Sequence, residues 1–286
     1  MIAVTGATGG IGGRVASRLA ERGVEQRLIV RDASRAPAFE GAGVAEAEYG
    51  DGEAMRAALA GVATLLLVSA SEARDRVRHH VSAIDAAVAA GVGRIVYPSF
   101  MGAAPDATFT FARDHSATEA HIRSAGVAHT FLRSCMYAEY VPVFTGPDGV
   151  IRGPAGGGRV AWVARDDIAD VAAAVLLAGG GFDGRTLEMT GPGALTMAET
   201  AALLSEFAGR EVVYQEETLE QARESRRPTG APDWEIEGWV SSYAAIAAGE
   251  LAAVRATVAV VAGHPPRSVA DFLREHPESY EHLTGG

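Results

Sequence analysis

Short apolar runs alternate with amphipathic segments through the first half of the chain. In the segment 77–90, Val81, Ile84, Ala87 and Val88 share one helical stripe. The short runs are rich in branched residues, as buried parallel strands are; they cover residues 2–4, 27–30, 44–48, 65–68, 94–97 and 129–132. Strands that alternate with helices predict a doubly wound parallel sheet of the Rossmann type, with its ligand crevice at the carboxyl ends of the strands.

After about Met136 the alternation loosens. A stretch rich in Gly and Pro is followed by further strand-like and helix-like runs at 160–163, 168–177, 186–190 and 197–207. We therefore expect a dinucleotide-binding core over residues 1–135, to which segments around 160–190 return. A smaller C-terminal α/β subdomain, mainly residues 136–286, should supply most of the substrate pocket. Its large aromatic residues are expected in the protein core more than around a substrate; they are Trp234, Trp239, Tyr243 and Tyr280.

A glycine-rich turn joins the first predicted strand to the first predicted helix, with glycines at positions 6, 9 and 12. Such glycines permit a sharp turn and let the backbone approach a pyrophosphate, which free amides and the positive end of a helix dipole can bind. Because the motif follows a strand and opens a helix, it predicts a dinucleotide site. The expected contacts are Gly6, Thr8, Gly9, Gly10 and Ile11.

Composition narrows the possible functions of this nucleotide-binding chain. Its 286 residues, 48% of them hydrophobic, are enough for a full core. A net charge of −11 argues against nucleic-acid binding. The single cysteine, Cys135, excludes an intrachain disulfide and a multi-cysteine metal site, and we expect it to be an inert buried thiol. No apolar run reaches membrane-spanning length. We expect a cytoplasmic monomer or homodimer that binds no metal.

All 25 basic residues are arginine. Without lysine, the chain cannot form a Schiff base, offer a P-loop lysine or complete a Tyr-x-x-x-Lys catalytic pair. Any catalytic chemistry must therefore use other groups.

Several motifs follow one another along the chain: VTGATG at 4–9, IVRD at 29–32, RIVYPS at 94–99, HTFLR at 129–133 and RTLEMTGP at 185–192. Together they resemble the NmrA-like atypical branch of the short-chain dehydrogenase/reductase superfamily, and within it the NAD(P)H quinone oxidoreductase type 2 subgroup. The resemblance implies an NAD(P)-binding Rossmann domain and a small substrate domain. It leaves the reaction open, because the branch contains quinone, ketone, imine and dye reductases and also regulators without chemistry.

Arg31 follows the second strand, where the adenosine ribose of a dinucleotide binds. An arginine there can pair with a 2′-phosphate, and relatives that resemble this chain use it for NADPH, with a second basic residue near Arg35. Asp32 favours NADH instead, because a one-residue shift of the strand end would present its carboxylate to the 2′-hydroxyl of the adenosine ribose. We expect NADPH rather than NADH.

Two further strand ends carry candidate cofactor contacts. Asp51 could accept from the adenine amino group, as in extended relatives, or cap the helix that begins near Gly52. Ser69, Ala70 and Ser71 are small enough to let the backbone pass close to the nicotinamide ribose.

The sequence offers fewer candidates for catalytic residues than for cofactor contacts. Ser99, at the position of the superfamily's active-site serine, is expected to bind the substrate oxygen, or else to satisfy strand-end backbone. Instead of a tyrosine and a lysine, Phe111 and His115 stand four apart. The imidazole of His115 is a catalytic candidate that could hydrogen-bond the nicotinamide ribose or donate to the substrate. Glu119 shares a helix face with His115 and could orient the imidazole or raise its pKa; an exposed histidine in a weak surface pair is the alternative. Tyr137 is a candidate proton donor, with packing as its alternative.

These features favour an NAD(P)H-dependent reductase of a quinone or a conjugated or aromatic ketone. A quinone suits the missing acid, because hydride transfer to it gives a stabilised hydroquinone anion that water can protonate. Two alternatives stay open: a non-catalytic NADP sensor that controls a partner protein, and a tailoring ketoreductase of secondary metabolism.

Overall fold

The computed structural model describes residues 1–284, and a parallel sheet runs through its centre. The strands are β1 (Ile2–Thr5), β2 (Gln26–Val30), β3 (Ala42–Glu46), β4 (Thr64–Leu66), β5 (Arg94–Phe100), β6 (Ala128–Ser134), β7 (Val150–Gly153), β8 (Arg159–Val160), β9 (Thr186–Met189), β10 (Leu195–Thr196) and β11 (Val213–Glu216). Seven of them form one sheet in the order β3-β2-β1-β4-β5-β6-β9. This order confirms the predicted doubly wound fold, and its switch point lies between β1 and β4.

The helices lie on both sides of the sheet. They are α1 (Gly12–Glu21), α2 (Gly52–Ala58), α3 (Arg76–Ala89), α4 (Thr110–Ser124), α5 (Tyr140–Val143), α6 (Arg165–Leu177), α7 (Met197–Ala208), α8 (Leu219–Arg226), α9 (Asp233–Ala247), α10 (Thr257–Ala262), α11 (Val269–Glu275) and α12 (Glu281–Thr284). Within residues 1–284, no helix is both long enough and apolar enough to cross a bilayer.

Alternate residues of the central strands face opposite layers. Val4 and Leu66 belong to the core that includes α1 and α6, whereas Leu65 and Ile95 belong to the core that includes α2 and α3. This alternation follows from the two-residue period of a strand. It explains why the central strands occur in the sequence as continuous apolar runs, since both of their faces are buried.

Helix α3 buries a stripe that differs from the predicted one. Ile84 and Ala87 are buried as expected, but Val88 is exposed. Toward the amino end of the helix, the buried positions are taken by Arg76 and His80. Two residues with polar side chains therefore continue the apolar stripe into the carboxyl edge of the sheet.

The C-terminal half of the chain contributes to the sheet and to its flanking layer. Strand β9 pairs with β6, and Arg18 of α1 forms ion pairs with Asp166 and Asp170 of α6. One continuous core contains residues from both halves, from Val4 to Leu283. The pairs β7 with β11 and β8 with β10 form two small additional sheets. The division at residue 135 stays a prediction.

Candidate cofactor and substrate site

The turn after β1 places open amide groups at the carboxyl edge of the sheet. Gly6 has a φ of +61°, and its carbonyl accepts from the amide of Gly9 at 2.8 Å. Among the described residues, the amides of Gly10 and Ile11 have no hydrogen-bond acceptor. Gly12 begins α1, and a Cβ there would lie 2.3 Å from the Gly6 oxygen. The turn is thus closed around glycine backbone and open toward an anion.

A shallow cavity of about 440 Å³ lies beside this turn and carries three arginines. Its lining includes Thr8 and Gly9 from the turn, with Arg14, Arg18 and Arg35. Arg14 and Arg18 are paired with carboxylates of α6. Within residues 1–284, Arg35 has no such carboxylate partner and is exposed. Its guanidinium is therefore available to an anionic group of a ligand.

Arg31 and Asp32 follow β2, and both are exposed. The Asp32 carboxylate accepts from the amide of Ser34 at 3.0 Å and from its hydroxyl at 2.6 Å. Asp32 therefore caps the short helical turn Ala33–Arg35. Because this carboxylate is engaged with its own turn, the case for a 2′-hydroxyl acceptor at this strand end is weakened. Arg31 lies outside the lining of the 440 Å³ cavity.

The other predicted cofactor contacts lie at neighbouring strand ends. Asp51 caps α2, accepting at 3.0 Å from an amide of the first turn. Ser69 lines the larger cavity described below, and Ser71 is exposed. The amide of Ala70 donates to Nε2 of His80 at 2.9 Å. This bond fixes the backbone of the Ser69–Ser71 turn against α3.

A second cavity, of about 630 Å³, opens between these strand ends and the C-terminal segments. Aromatic rings form most of its apolar lining, which suits a flat conjugated ligand; they are Phe100, Phe109, Phe111, Tyr137, Tyr140, Phe144, Trp239 and Tyr243. Two of the four aromatics that we expected mainly in the core, Trp239 and Tyr243, line this cavity. Tyr280 packs against Phe207, 6.3 Å between ring centroids.

His115 lies in the second turn of α4 and is buried against the larger cavity. Its Nε2 lies 3.2 Å from Nη2 of Arg76, and its Nδ1 lies 2.9 Å from the hydroxyl of Tyr97. An arginine can only donate, so Nε2 accepts and the imidazole proton resides on Nδ1. Burial and the charge of Arg76 hold the pKa of His115 well below its usual range. The imidazole is neutral and donates to Tyr97.

The predicted influence of Glu119 on His115 is wrong. Glu119 is completely buried, and its carboxylate accepts from Arg133 at 2.8 and 2.7 Å and from Arg123 at 2.9 Å. The pKa of His115 is lowered rather than raised. Ser99 also donates to Glu119, at 2.6 Å, and it is not among the lining residues of the larger cavity. The geometry therefore gives no support to a substrate contact by Ser99.

Tyr137 faces the larger cavity and stacks on Tyr140, with 5.5 Å between the ring centroids. The guanidinium of Arg165 lies 4.8 Å from the ring of Tyr137. Burial raises the pKa of the Tyr137 hydroxyl to about 12. Cys135 lines the same cavity, and burial raises the pKa of its thiol to about 12. Both groups hold their protons firmly at neutral pH.

Arg76 is a candidate that the sequence interpretation missed. It is the first residue of α3, is only 3% exposed and lines the larger cavity. Its Nη1 lies 3.7 Å from the Asp114 carboxylate, beyond hydrogen-bond distance, and its Nε and Nη1 have no hydrogen-bond partner among residues 1–284. One sequence signal was available: Arg76 stands four residues before His80 and eight before Ile84, on the stripe that α3 buries.

Asp167, Asp170 and His264 bring one potential metal-ligand atom each within 4.8 Å of one another. Arg267 donates to both carboxylates, and Arg18 donates to Asp170. These arginines compensate the acidic charge within the protein, so the group is explained as an ion-pair cluster. The absence of a bound metal stays a prediction.

A comparison of the amino-acid sequence with protein-family models identifies the family over most of the chain. The model of the NmrA-like family matches residues 1–230. This chain belongs to the NmrA-like family. It is 34% identical over 281 residues to quinone oxidoreductase 2 of Escherichia coli strain K12, covering 96% of this chain and 97% of the relative. It is 33% identical over 285 residues to the NAD(P)H azoreductase of Xenophilus azovorans, covering 98% and 99%.

A solved structure supports the same grouping of this NmrA-like chain. The crystal structure of an NADPH-dependent quinone oxidoreductase from Escherichia coli, complexed with NADPH, aligns with a TM-score of 0.87 at 33% identity. The alignment covers 96% of this chain and 99% of that chain. The resemblance inferred from the motifs is confirmed, both for the family and for the quinone oxidoreductase group.

The glycine turn of the NmrA-like chain passes a test of fit for a dinucleotide. Its unpartnered amides at Gly10 and Ile11 point to an acceptor from outside the chain. At Gly12, no side chain could be added without opening the turn. Both features match a pyrophosphate bound at the amino end of α1.

Proposed function

We propose that this chain is an NADPH-dependent reductase that acts on a quinone or a similarly conjugated ketone. The observation that carries this proposal is the aromatic cavity of about 630 Å³, which reaches Ser69 at the same sheet edge as the glycine turn. A bound reduced nicotinamide would supply a hydride there. The names of the two relatives, a quinone oxidoreductase and an azoreductase, support the same class of reaction.

The residues that would hold the cofactor follow the carboxyl edge of the sheet. The glycine turn would bind the pyrophosphate, and Arg31 and Arg35 would pair with the 2′-phosphate that distinguishes NADPH. Asp51 would lie at the adenine end. The proposed set is Gly6, Thr8, Gly9, Gly10, Ile11, Arg31, Arg35, Asp51, Ser69, Ala70 and Ser71.

The side chains of the cavity favour a substrate that can accept a hydride without a proton donor from the protein. Burial raises the pKa values of Tyr137, Tyr243 and Cys135 to about 12, and His115 presents an acceptor nitrogen to Arg76. An isolated ketone would require protonation of a strongly basic alkoxide. A quinone gives a delocalised anion that solvent can protonate, so quinones fit this lining better.

The direct test is NADPH oxidation by the purified protein with menadione, duroquinone, a polycyclic aromatic ketone and an azo dye. We expect turnover with the quinones and slower turnover with NADH. Tight NADPH binding without oxidation across the whole panel would instead support the alternative of a non-catalytic sensor. Preference for the polycyclic ketone would support a tailoring ketoreductase. A cytoplasmic location and a monomeric or homodimeric state stay predictions.

Cofactor preference can be tested with Arg31→Ala and Arg35→Ala. Loss of a charge-assisted contact to the 2′-phosphate should weaken NADPH binding about 10- to 100-fold and leave NADH binding unchanged. Arg22→Ala is the matched control, since Arg22 is an exposed residue near the end of α1 whose guanidinium donates to its own helix. If Arg31→Ala and Arg35→Ala keep the preference for NADPH as the control does, neither arginine binds the 2′-phosphate.

A further inference from the structure

We infer that Arg76 is an oxyanion site, at which the substrate oxygen gathers negative charge during reduction. The inference rests on the proposed function and goes beyond it by naming the group that meets the product anion. It also defines a ligand class for the cavity: flat aromatic compounds that carry an ionised enol or phenol oxygen.

The burial of Arg76 without full pairing is the first observation. Its guanidinium is permanently charged, yet its Nε and Nη1 have no hydrogen-bond partner within residues 1–284. Buried donors left unpaired are costly, and a buried charge is costlier still. The Asp114 carboxylate balances the charge only from 3.7 Å. An oxygen of a bound ligand would supply the missing acceptor after a small adjustment of the side chain.

The two other arginines of the cavity are engaged more tightly. Arg152 pairs with Asp148 at 2.6 Å, and Arg226 pairs with Glu217 at 3.1 Å. Both arginines line the cavity with Arg76. Among these three lining arginines, Arg76 alone lacks a close carboxylate.

A second layer of contacts fixes where Arg76 points. His115 accepts from Nη2 of Arg76 at 3.2 Å and is itself held by Tyr97 at 2.9 Å. His80, one turn further along α3, is within 2.8 Å of Thr118 through Nδ1. His115 and Asp114 are therefore positioning residues, because they act through Arg76. The arrangement is preorganised, which is what stabilisation of a developing charge requires.

The chemistry of quinone reduction matches this arrangement. Hydride addition to the conjugated carbonyl system breaks a π bond, and its electron pair comes to rest on a carbonyl oxygen. The hydride donor is oxidised by two electrons, and the quinone becomes a hydroquinone monoanion. One proton from water then gives the hydroquinone. A guanidinium that faces this oxygen stabilises the anion more than the neutral quinone, which lowers the barrier.

The binding test needs no turnover. Lawsone, a hydroxynaphthoquinone that is ionised at neutral pH, and its neutral methyl ether are titrated into NADP⁺-loaded wild type, Arg76→Gln and Arg74→Gln. Arg74 is the control, an exposed arginine two residues earlier. We expect Arg76→Gln to weaken lawsone about 10- to 100-fold and the ether less than about threefold. Equal losses for both ligands, or no loss, overturn the inference.

The kinetic test uses a series of quinones whose hydroquinones differ in acidity. Arg76→Gln should lower kcat/KM about 10²- to 10³-fold, and the loss should grow as the hydroquinone anion becomes more basic. Arg76→Lys, which keeps the charge, should recover part of the rate and shows that the fold tolerates a change at this position. A uniform loss across the series, or a loss of NADPH affinity instead, contradicts the oxyanion role.

The two proposals fail in different ways. If wild type oxidises no NADPH with any quinone or conjugated ketone, the proposed function is wrong, while the lawsone titration still decides whether Arg76 binds an aromatic oxyanion. If wild type reduces quinones and Arg76→Gln behaves like Arg74→Gln, the function stands and the inference is wrong.

Discussion

The role of a polar residue in this site depends on its nearest partners more than on its place in a motif. Ser99 stands at the strand end where a substrate contact was expected, but its hydroxyl donates to Glu119. His115 stands in place of the usual lysine, but its two nitrogens are occupied by Arg76 and Tyr97. In both cases the partners belong to other elements of the fold. The sequence around Ser99 or His115 therefore does not predict these contacts.

Ser99→Ala tests this reading of the strand end. The hydroxyl bonds to a buried carboxylate, so its loss should lower the free energy of unfolding by about 1–3 kcal/mol. Quinone turnover should change less than about threefold, because the Ser99 hydroxyl contacts Glu119 and does not line the larger cavity. Chemical denaturation and steady-state kinetics measure the two effects.

Ser124→Ala serves as the control, since Ser124 is exposed and donates only to a carbonyl of its own helix. A hundredfold fall in kcat/KM for Ser99→Ala at unchanged stability would restore the predicted substrate contact.

At the scale of elements, the sequence predicted what single segments encode by themselves. The six strands predicted in the first half all exist. Five of them are largely buried apolar runs, whereas β3 lies at the edge of the sheet and is mostly exposed. The glycine turn was predictable for a similar reason, since its function resides in the backbone. The β7–β11 pair was not, because its register joins Val150 to Val213, far apart in the chain, and β11 is mostly exposed.

The junction of β1 with α1 gives a prediction at this scale. In Gly12→Ala, the new methyl would lie 2.3 Å from the Gly6 oxygen and 2.6 Å from the Thr5 oxygen. The turn must open to admit it, so we expect NADPH affinity to fall at least about tenfold and stability to fall by about 1–3 kcal/mol. Fluorescence titration and thermal unfolding measure these changes.

The matched control is Gly43→Ala in β3. A Cβ at Gly43 meets nothing within 4 Å, and its φ is not positive. This variant should keep both affinity and stability. If Gly12→Ala binds NADPH as wild type does, the close approach of α1 to the turn is unimportant for the cofactor.

For the whole molecule, two buried histidines link folding to pH. Burial and the charge of Arg76 lower the pKa of His80 to about 3, and the pKa of His115 moves in the same direction. At a pH between the ordinary histidine pKa of about 6.5 and the pKa in the folded state, each of these histidines is protonated in the unfolded chain but neutral in the native protein. Stability therefore falls as pH drops below about 6.5, by up to about 1.4 kcal/mol per pH unit for each histidine.

His80→Gln checks the origin of this slope. Glutamine can still accept from the amide of Ala70 but cannot take up a proton. The variant should be less stable at pH 7.5 and should lose less stability between about pH 6.5 and 4.5, as measured by urea denaturation. His282→Gln, at an exposed residue, is the control. An unchanged slope in His80→Gln assigns the acid sensitivity to other groups.

Under the proposed function, the two buried neutral histidines and the permanently charged Arg76 would together set the pH range of activity. A reductase that releases no proton from a side chain has no catalytic titration in the neutral range, and its guanidinium keeps its charge at any pH the fold survives. The acid limit of activity then coincides with the acid limit of folding. The rate of quinone reduction would therefore stay constant as pH is lowered and would fall only where the protein unfolds.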